Sequence, residues 1–134
     1  MKVAVFSTKS YDKEYLDKAN SNHIHDLVYF DSSLHEGTVR LAEHFQAVCV
    51  FVNDTLNKKV IESLIDMNVG LIVLRCAGFN NIDIKTACGS NKIKVLRVPA
   101  YSPVAVAEHA VALILTLSRK THKAYNRVRE GNFS

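Results

Sequence analysis

"GLIVLRCAGFNNID", residues 70 to 83, changes character in its middle. Residues 70 to 74 are a short continuous apolar run without polar alternation, the pattern of a strand buried on both faces. The residues that follow are small and polar and include Gly78, so the chain leaves the strand through a loop with free backbone amides. Amides in such a loop bind anions, and glycine lets a ligand approach them. A strand buried on both faces needs parallel neighbours and helices above and below.

Those neighbours are legible on either side. "KVAVF" (2 to 6), "DLVYF" (26 to 30), "AVCVFV" (47 to 52) and "IKVLRV" (93 to 98) are further apolar runs. Between the strands lie four expected helices: "YDKEYLDKAN", a stretch from about Thr38 to His44, "NKKVIESLIDM" with Val60, Leu64 and Met67 on one face, and Ile84 to Cys88. Strict alternation of strand and helix predicts an α/β fold with a doubly wound, flavodoxin-like parallel sheet of five strands in the order 2-1-3-4-5.

After the fifth strand, "PAYSP" leads into one long expected helix from Val104 to about Glu130, with Pro103 in its first turn and Gly131 at its end. Val104 to Leu117 are apolar on nearly every side, so this half needs enclosure by more than one layer of protein. From Ser118 onward Arg119, Lys120, Lys123, Arg127 and Arg129 make the helix basic, which suits its C-terminal end. The sheet of a 134-residue chain offers that helix one surface, and a second is expected from elsewhere.

Composition narrows the setting. A net charge of +4 with a pI near 9.0 favours anionic partners without choosing among them. The N-terminal apolar run is too short for a signal peptide, and no stretch approaches the roughly 18 apolar residues of a membrane span. A cytoplasmic protein with no membrane partner is expected. Cys49, Cys76 and Cys88 include no CxxC pair, which argues against disulfides and a zinc site, and no metal is expected. The basic helix has no DNA-binding arrangement before it, so no nucleic acid is expected either.

Ligands of a doubly wound sheet sit at the carboxyl ends of its strands. The loops there are "STKSYD", "NDTLN" with Phe51 before it, "RCAGFNN" and "PAYSP". They offer hydroxyls, an aromatic wall from Phe51, Phe79 and Tyr101, and the amides around Gly78, a set that fits a small anion better than a large flat cofactor. Ordinary readings stand beside these. Gly78 serves equally well to relieve strain in a strand-to-helix turn, and Phe51 and Phe79 as core residues. Arg75 suits either an anionic ligand or an ion pair at the sheet edge. Cys76 is reactive only if its thiolate is stabilised. Glu108 and His109 are adjacent on a helix and point apart, which makes them structural rather than an acid–base pair. His23 and His25 lack a carboxylate or cysteine at metal-binding spacing.

"LRCAGFNNID" followed by "VPAYSPVAVAEHA" resembles the NAD-dependent D-2-hydroxyacid dehydrogenases and, within them, the fermentative D-lactate dehydrogenases, over the whole chain. The resemblance implies that residues 1–103 form a flavodoxin-like substrate-binding domain and 104–134 an inter-domain helix. It implies that the backbone amides of Ala77 and Gly78 hold the carboxylate of pyruvate or D-lactate. Phe51 and Tyr101 would line the pocket, with Cys76 in the same loop, and Val106 would face the nicotinamide of NAD. It further implies a homo-oligomer, with a dinucleotide-binding domain packing on Val104 to Leu117. The catalytic arginine, glutamate and histidine of that family, and its GxGxxG turn, fall beyond residue 134, and no glycine pair here has GxG spacing. No catalytic residue is therefore expected in this chain, which is expected to be inactive alone.

Other classes fit the same sheet less well. A phospho-receiver domain needs acidic residues after the first strand, where Ser7 and Thr8 stand, although Asp54 matches its second acidic position. An FMN-binding flavodoxin needs a glycine-containing phosphate loop there, and "FSTKSYDK" has hydroxyls only. The remaining alternative is a stand-alone flavodoxin-like binding or interaction module that kept the fold without the reaction.

Overall fold

The computed structural model describes residues 1–133. Its backbone falls into two compact units, Met1–Pro99 and the residues from Ala100 onward. The first unit alternates strand and helix: β1 Lys2–Val5, α1 Ser10–Ala19, β2 Asp26–Tyr29, β3 Ala47–Val50, α2 Lys58–Asp66, β4 Leu71–Leu74, α3 Ile84–Gly89 and β5 Lys94–Arg97. The strands form one parallel sheet in the order β2-β1-β3-β4-β5, as the sequence predicts.

The inner strands β1, β3 and β4 read as continuous apolar runs because successive residues serve two cores. Ala4, Val48, Val50, Ile72 and Leu74 face Val60, Ile61 and Leu64 of α2 and Ala87 of α3. Val3, Val5, Ala47 and Cys49 point the other way, toward Leu16 of α1. Local chemistry sets the helix starts. Asn57 caps α2 by accepting from the Val60 amide at 3.1 Å, and Asp83 caps α3 by accepting from the Thr86 amide at 3.1 Å.

One expected helix is shorter and tighter than the sequence indicates. Between Thr38 and His44 the chain makes only a 3-10 turn, Val39–Ala42, because Glu43 turns extended (ψ 135) and His44 takes a positive φ of 69. Val39 and Ala42 still bury their side chains, so the apolar signal there was one of burial, not helix length.

The second unit corrects the single long helix. α4 Pro103–Arg119 and α5 Thr121–Arg129 are separate, divided by Lys120 in the left-handed region (φ 54, ψ 36). The Lys120 amide closes α4 on the Thr116 carbonyl, while the Lys120 carbonyl accepts from Ala124 at 3.1 Å and begins α5. Gly131, at φ 72, ends α5: its amide bonds the Val128 carbonyl at 3.1 Å and the Asn132 amide bonds that of Arg127 at 2.8 Å, the paired bonds of a glycine helix stop. The apolar side chains Val104, Val106, Val111, Leu113, Ile114, Leu115 and Leu117 of α4 are all exposed. No helix of the described residues is long and apolar enough to cross a membrane.

Candidate functional site

The sheet order reverses between β1 and β3, where a doubly wound fold opens a crevice. This chain fills that crevice itself. Asp54, 1% exposed, accepts the Ser7 hydroxyl and the Leu34 amide on Oδ1, both at 2.7 Å, and the Phe51 amide on Oδ2 at 2.5 Å. The Thr8 hydroxyl donates to the Phe30 carbonyl at 2.9 Å. Arg75, at the exit of β4, reaches across to pair with Asp12 at 2.7 Å and donates to the Phe6 carbonyl at 2.6 Å. Of the two readings of Arg75, the structure takes the ion pair. With Ser7, Thr8 and Asp54 engaged internally, the turn after β1 presents no phosphate cradle for FMN, and Asp54 serves as a loop anchor.

The loop after β4 is different. Among the described residues none accepts a hydrogen bond from the amides of Ala77 or Gly78. Gly78 does not lie at positive φ, and a Cβ built on it meets nothing within 4 Å. The turn therefore requires glycine neither for its backbone angles nor for internal packing, and the strain-relief reading loses its ground. A side chain at 78 would occupy open space next to two unpaired amides.

Those amides are aimed by bonds on the other side of their peptides. The Val98 amide donates to the Cys76 carbonyl at 3.2 Å, and Arg97 Nη1 donates to the Ala77 carbonyl at 2.9 Å. In a trans peptide the N–H points opposite to the C=O, so the Ala77 and Gly78 N–H groups turn away from the exit of β5. Cys76 closes the underside, its Sγ donating to the Gly78 carbonyl at 3.2 Å. Burial pushes the Cys76 thiol above its ordinary range more than the nearby Arg75 charge draws it down, so no stabilised thiolate forms here.

Phe51 follows the last residue of β3 and is half-buried, with the Arg75 guanidinium 5.2 Å from its ring centre. Its carbonyl accepts from the Asn81 side chain at 3.0 Å, which links the loops after β3 and β4. Phe79 is 45% exposed beneath the Arg97 guanidinium, 5.3 Å away, and so is not the core residue of the ordinary reading. In the second unit Tyr101 is 79% exposed in the loop before α4, and Val106 is exposed on the first turn of α4. The first unit thus brings together Ala77, Gly78, Cys76 and Phe51, and the second carries Tyr101 and Val106. Sequence reasoning passed over Asp54 as an anchor and Arg97 altogether. Each also depends on a partner 20 or more residues away, Leu34 for Asp54 and Ala77 for Arg97, for which no local pattern exists.

Residues 3–131 match the family described as D-isomer specific 2-hydroxyacid dehydrogenase, catalytic domain. The chain belongs to that family. Over its full length it is 54% identical to a 2-hydroxyacid dehydrogenase homolog of Haemophilus influenzae and 50% identical to the D-lactate dehydrogenase of Escherichia coli, covering 40% of each. The solved apo-structure of the Escherichia coli enzyme superimposes with a TM-score of 0.79 over 100% of this chain and 43% of that one. The D-lactate dehydrogenase of Aquifex aeolicus, solved with NAD and lactic acid, superimposes with a TM-score of 0.78 at 29% identity, over 98% of this chain and 38% of that one. The chain thus spans about 40% of the length of the curated relatives it matches.

Proposed function

We propose that this chain is the substrate-binding part of an NAD-dependent D-lactate dehydrogenase, with residues 1–103 forming the substrate domain and 104–134 the helical connection to a dinucleotide-binding domain. The observation that carries the reading is the pair of consecutive unpaired amides at Ala77 and Gly78, both turned away from the exit of β5, next to a Gly78 whose Cβ position is open. Two amides side by side match the two oxygens of a carboxylate, and hydrogen bonds to a charged acceptor are the strong ones. The relatives' activity supports pyruvate as the 2-keto acid.

The chain's own loops do not suit a whole dinucleotide, since the hydroxyls after β1 are engaged and no glycine turn follows that strand. Its contact with NAD is confined to Val106, whose exposed apolar side chain suits the nicotinamide. When bound, NADH supplies the hydride that reduces the keto carbon. The work of this chain is to hold the carboxylate at Ala77 and Gly78, with Cys76 in the same loop, to contribute Phe51 and Tyr101 to substrate binding, and to exclude water as the domains close. A dinucleotide-binding domain covers Val104 to Leu117, and the active form is an oligomer in the cytoplasm.

Gly78→Ala in the intact enzyme tests the reading. The added methyl meets nothing in the chain, so the thermal midpoint should hold while the Michaelis constant for pyruvate rises about tenfold or more. An unchanged constant would remove the carboxylate from this loop.

A further inference from the structure

Arg97 lies at the end of β5 and has no part in the sheet's cores. Its side chain nevertheless holds a defined position. Nη1 is shared among the carbonyls of Ala77 at 2.9 Å, Pro99 at 3.1 Å and Val98 at 3.2 Å, and the guanidinium lies over the Phe79 ring at 5.3 Å. No carboxylate of the described residues lies within ion-pair distance, whereas Arg75 on the other flank of the loop is neutralised by Asp12.

We propose that Arg97 is a positioning residue for the carboxylate-binding amides, acting through the Ala77–Gly78 peptide. The inference rests on the carboxylate reading of this loop. The carbonyl that Arg97 grips belongs to the same peptide unit as the Gly78 N–H, so the bond does two things. It fixes the plane of that peptide before substrate arrives, which removes the reorganisation cost of aligning the donor. A cation on the oxygen also draws electron density through the amide and makes its N–H a stronger donor on the far side, as coupled hydrogen bonds do. The un-neutralised charge adds attraction for an anion entering over the loop. Stacking on Phe79 and the three carbonyls around Nη1 keep the flat guanidinium in place, and the stacking is the part that lysine reproduces poorly.

The test compares Arg97→Gln, Arg97→Lys and Gly78→Ala in the intact dehydrogenase at saturating NADH, with oxamate as a non-reacting carboxylate probe. Arg97→Gln should raise the Michaelis constant for pyruvate and the inhibition constant of oxamate together, by about five- to tenfold, with kcat within about twofold. Arg97→Lys keeps the charge without the flat group stacked on Phe79 and should recover about half of that loss on a logarithmic scale. A residue that merely stiffens the fold would instead lower the thermal midpoint and leave the oxamate constant where it was. If Gly78→Ala weakens pyruvate and oxamate while both Arg97 variants bind them as the parent does, the role of Arg97 is overturned and the carboxylate reading stands. If Gly78→Ala also changes neither constant, the reading of the loop falls and the inference with it.

Discussion

Asp54 carries more of this structure than its surroundings advertise. It accepts from Ser7, Leu34 and Phe51, which lie in three different segments, and so ties the turn after β1 to the end of β3, where Phe51 stands. Asp54→Ala would leave two backbone amides and a hydroxyl without their acceptor, at a cost of about 2–4 kcal/mol in urea unfolding. A loss below about 1 kcal/mol would mean that water replaces the carboxylate freely. The cysteines give a second prediction. Burial pushes the Cys49 thiol to about 11, against an opposing pull from Arg75. Between the ordinary thiol value of 9.0 and about 11 the unfolded chain ionises Cys49 while the folded one keeps the proton. Stability therefore falls as pH rises through that window, by up to about 3 kcal/mol, and Cys49→Ala should flatten the fall. In a thiol-labelling assay at pH 8, exposed Cys88 should react first, half-buried Cys76 more slowly, and Cys49 only on unfolding. None of these roles was legible in the sequence. Asp54 reads there as a loop residue, and the thiol values depend on neighbours that only the folded chain assembles.

The elements were far more legible. Each strand lies inside its apolar run. The edge strands β2 and β5 are half-buried to exposed, while the inner strands β1, β3 and β4 write a continuous local signal because both their faces are covered. The same is true of α2, whose Val60 and Leu64 are fully buried, and Leu64→Ala should cost about 2–5 kcal/mol. The division of the last helix was not legible. Lys120 is a good helix former with helical sequence on both sides, so nothing local announces its φ of 54. A substitution makes the distinction measurable. In a continuous helix Lys120→Gly would destabilise by about 1 kcal/mol, whereas at a left-handed corner it relieves strain and should stabilise by about as much. Thermal unfolding followed by circular dichroism reads the sign. The 3-10 turn at Val39–Ala42 teaches the complementary lesson, since its buried side chains mimic the face of a helix that the backbone does not continue.

At the scale of the whole molecule, the two units divide the proposed labour. Residues up to Pro99 hold the amides and Phe51, and those from Ala100 carry Tyr101, Val106 and a helix exposing seven large apolar side chains between Val104 and Leu117. Exposure on that scale is the reason the proposal places another protein layer over this helix. The sequence singled out the loop after β4 through its glycine, whereas the unpaired amides beside that glycine and the bonds behind their peptides are visible only in the folded chain. Gly78 is not at positive φ and a Cβ there meets nothing within 4 Å, so the chain itself tolerates a side chain at 78 and the Gly78→Ala test reads the proposed ligand alone. The measurement that bears most directly on this account is NADH oxidation by the polypeptide as its own cells produce it, on addition of pyruvate, with chiral analysis of the product. The account predicts one D-lactate formed for each NADH consumed. No oxidation with pyruvate or any other 2-keto acid would contradict it and leave a binding module that shares the family's fold without its reaction.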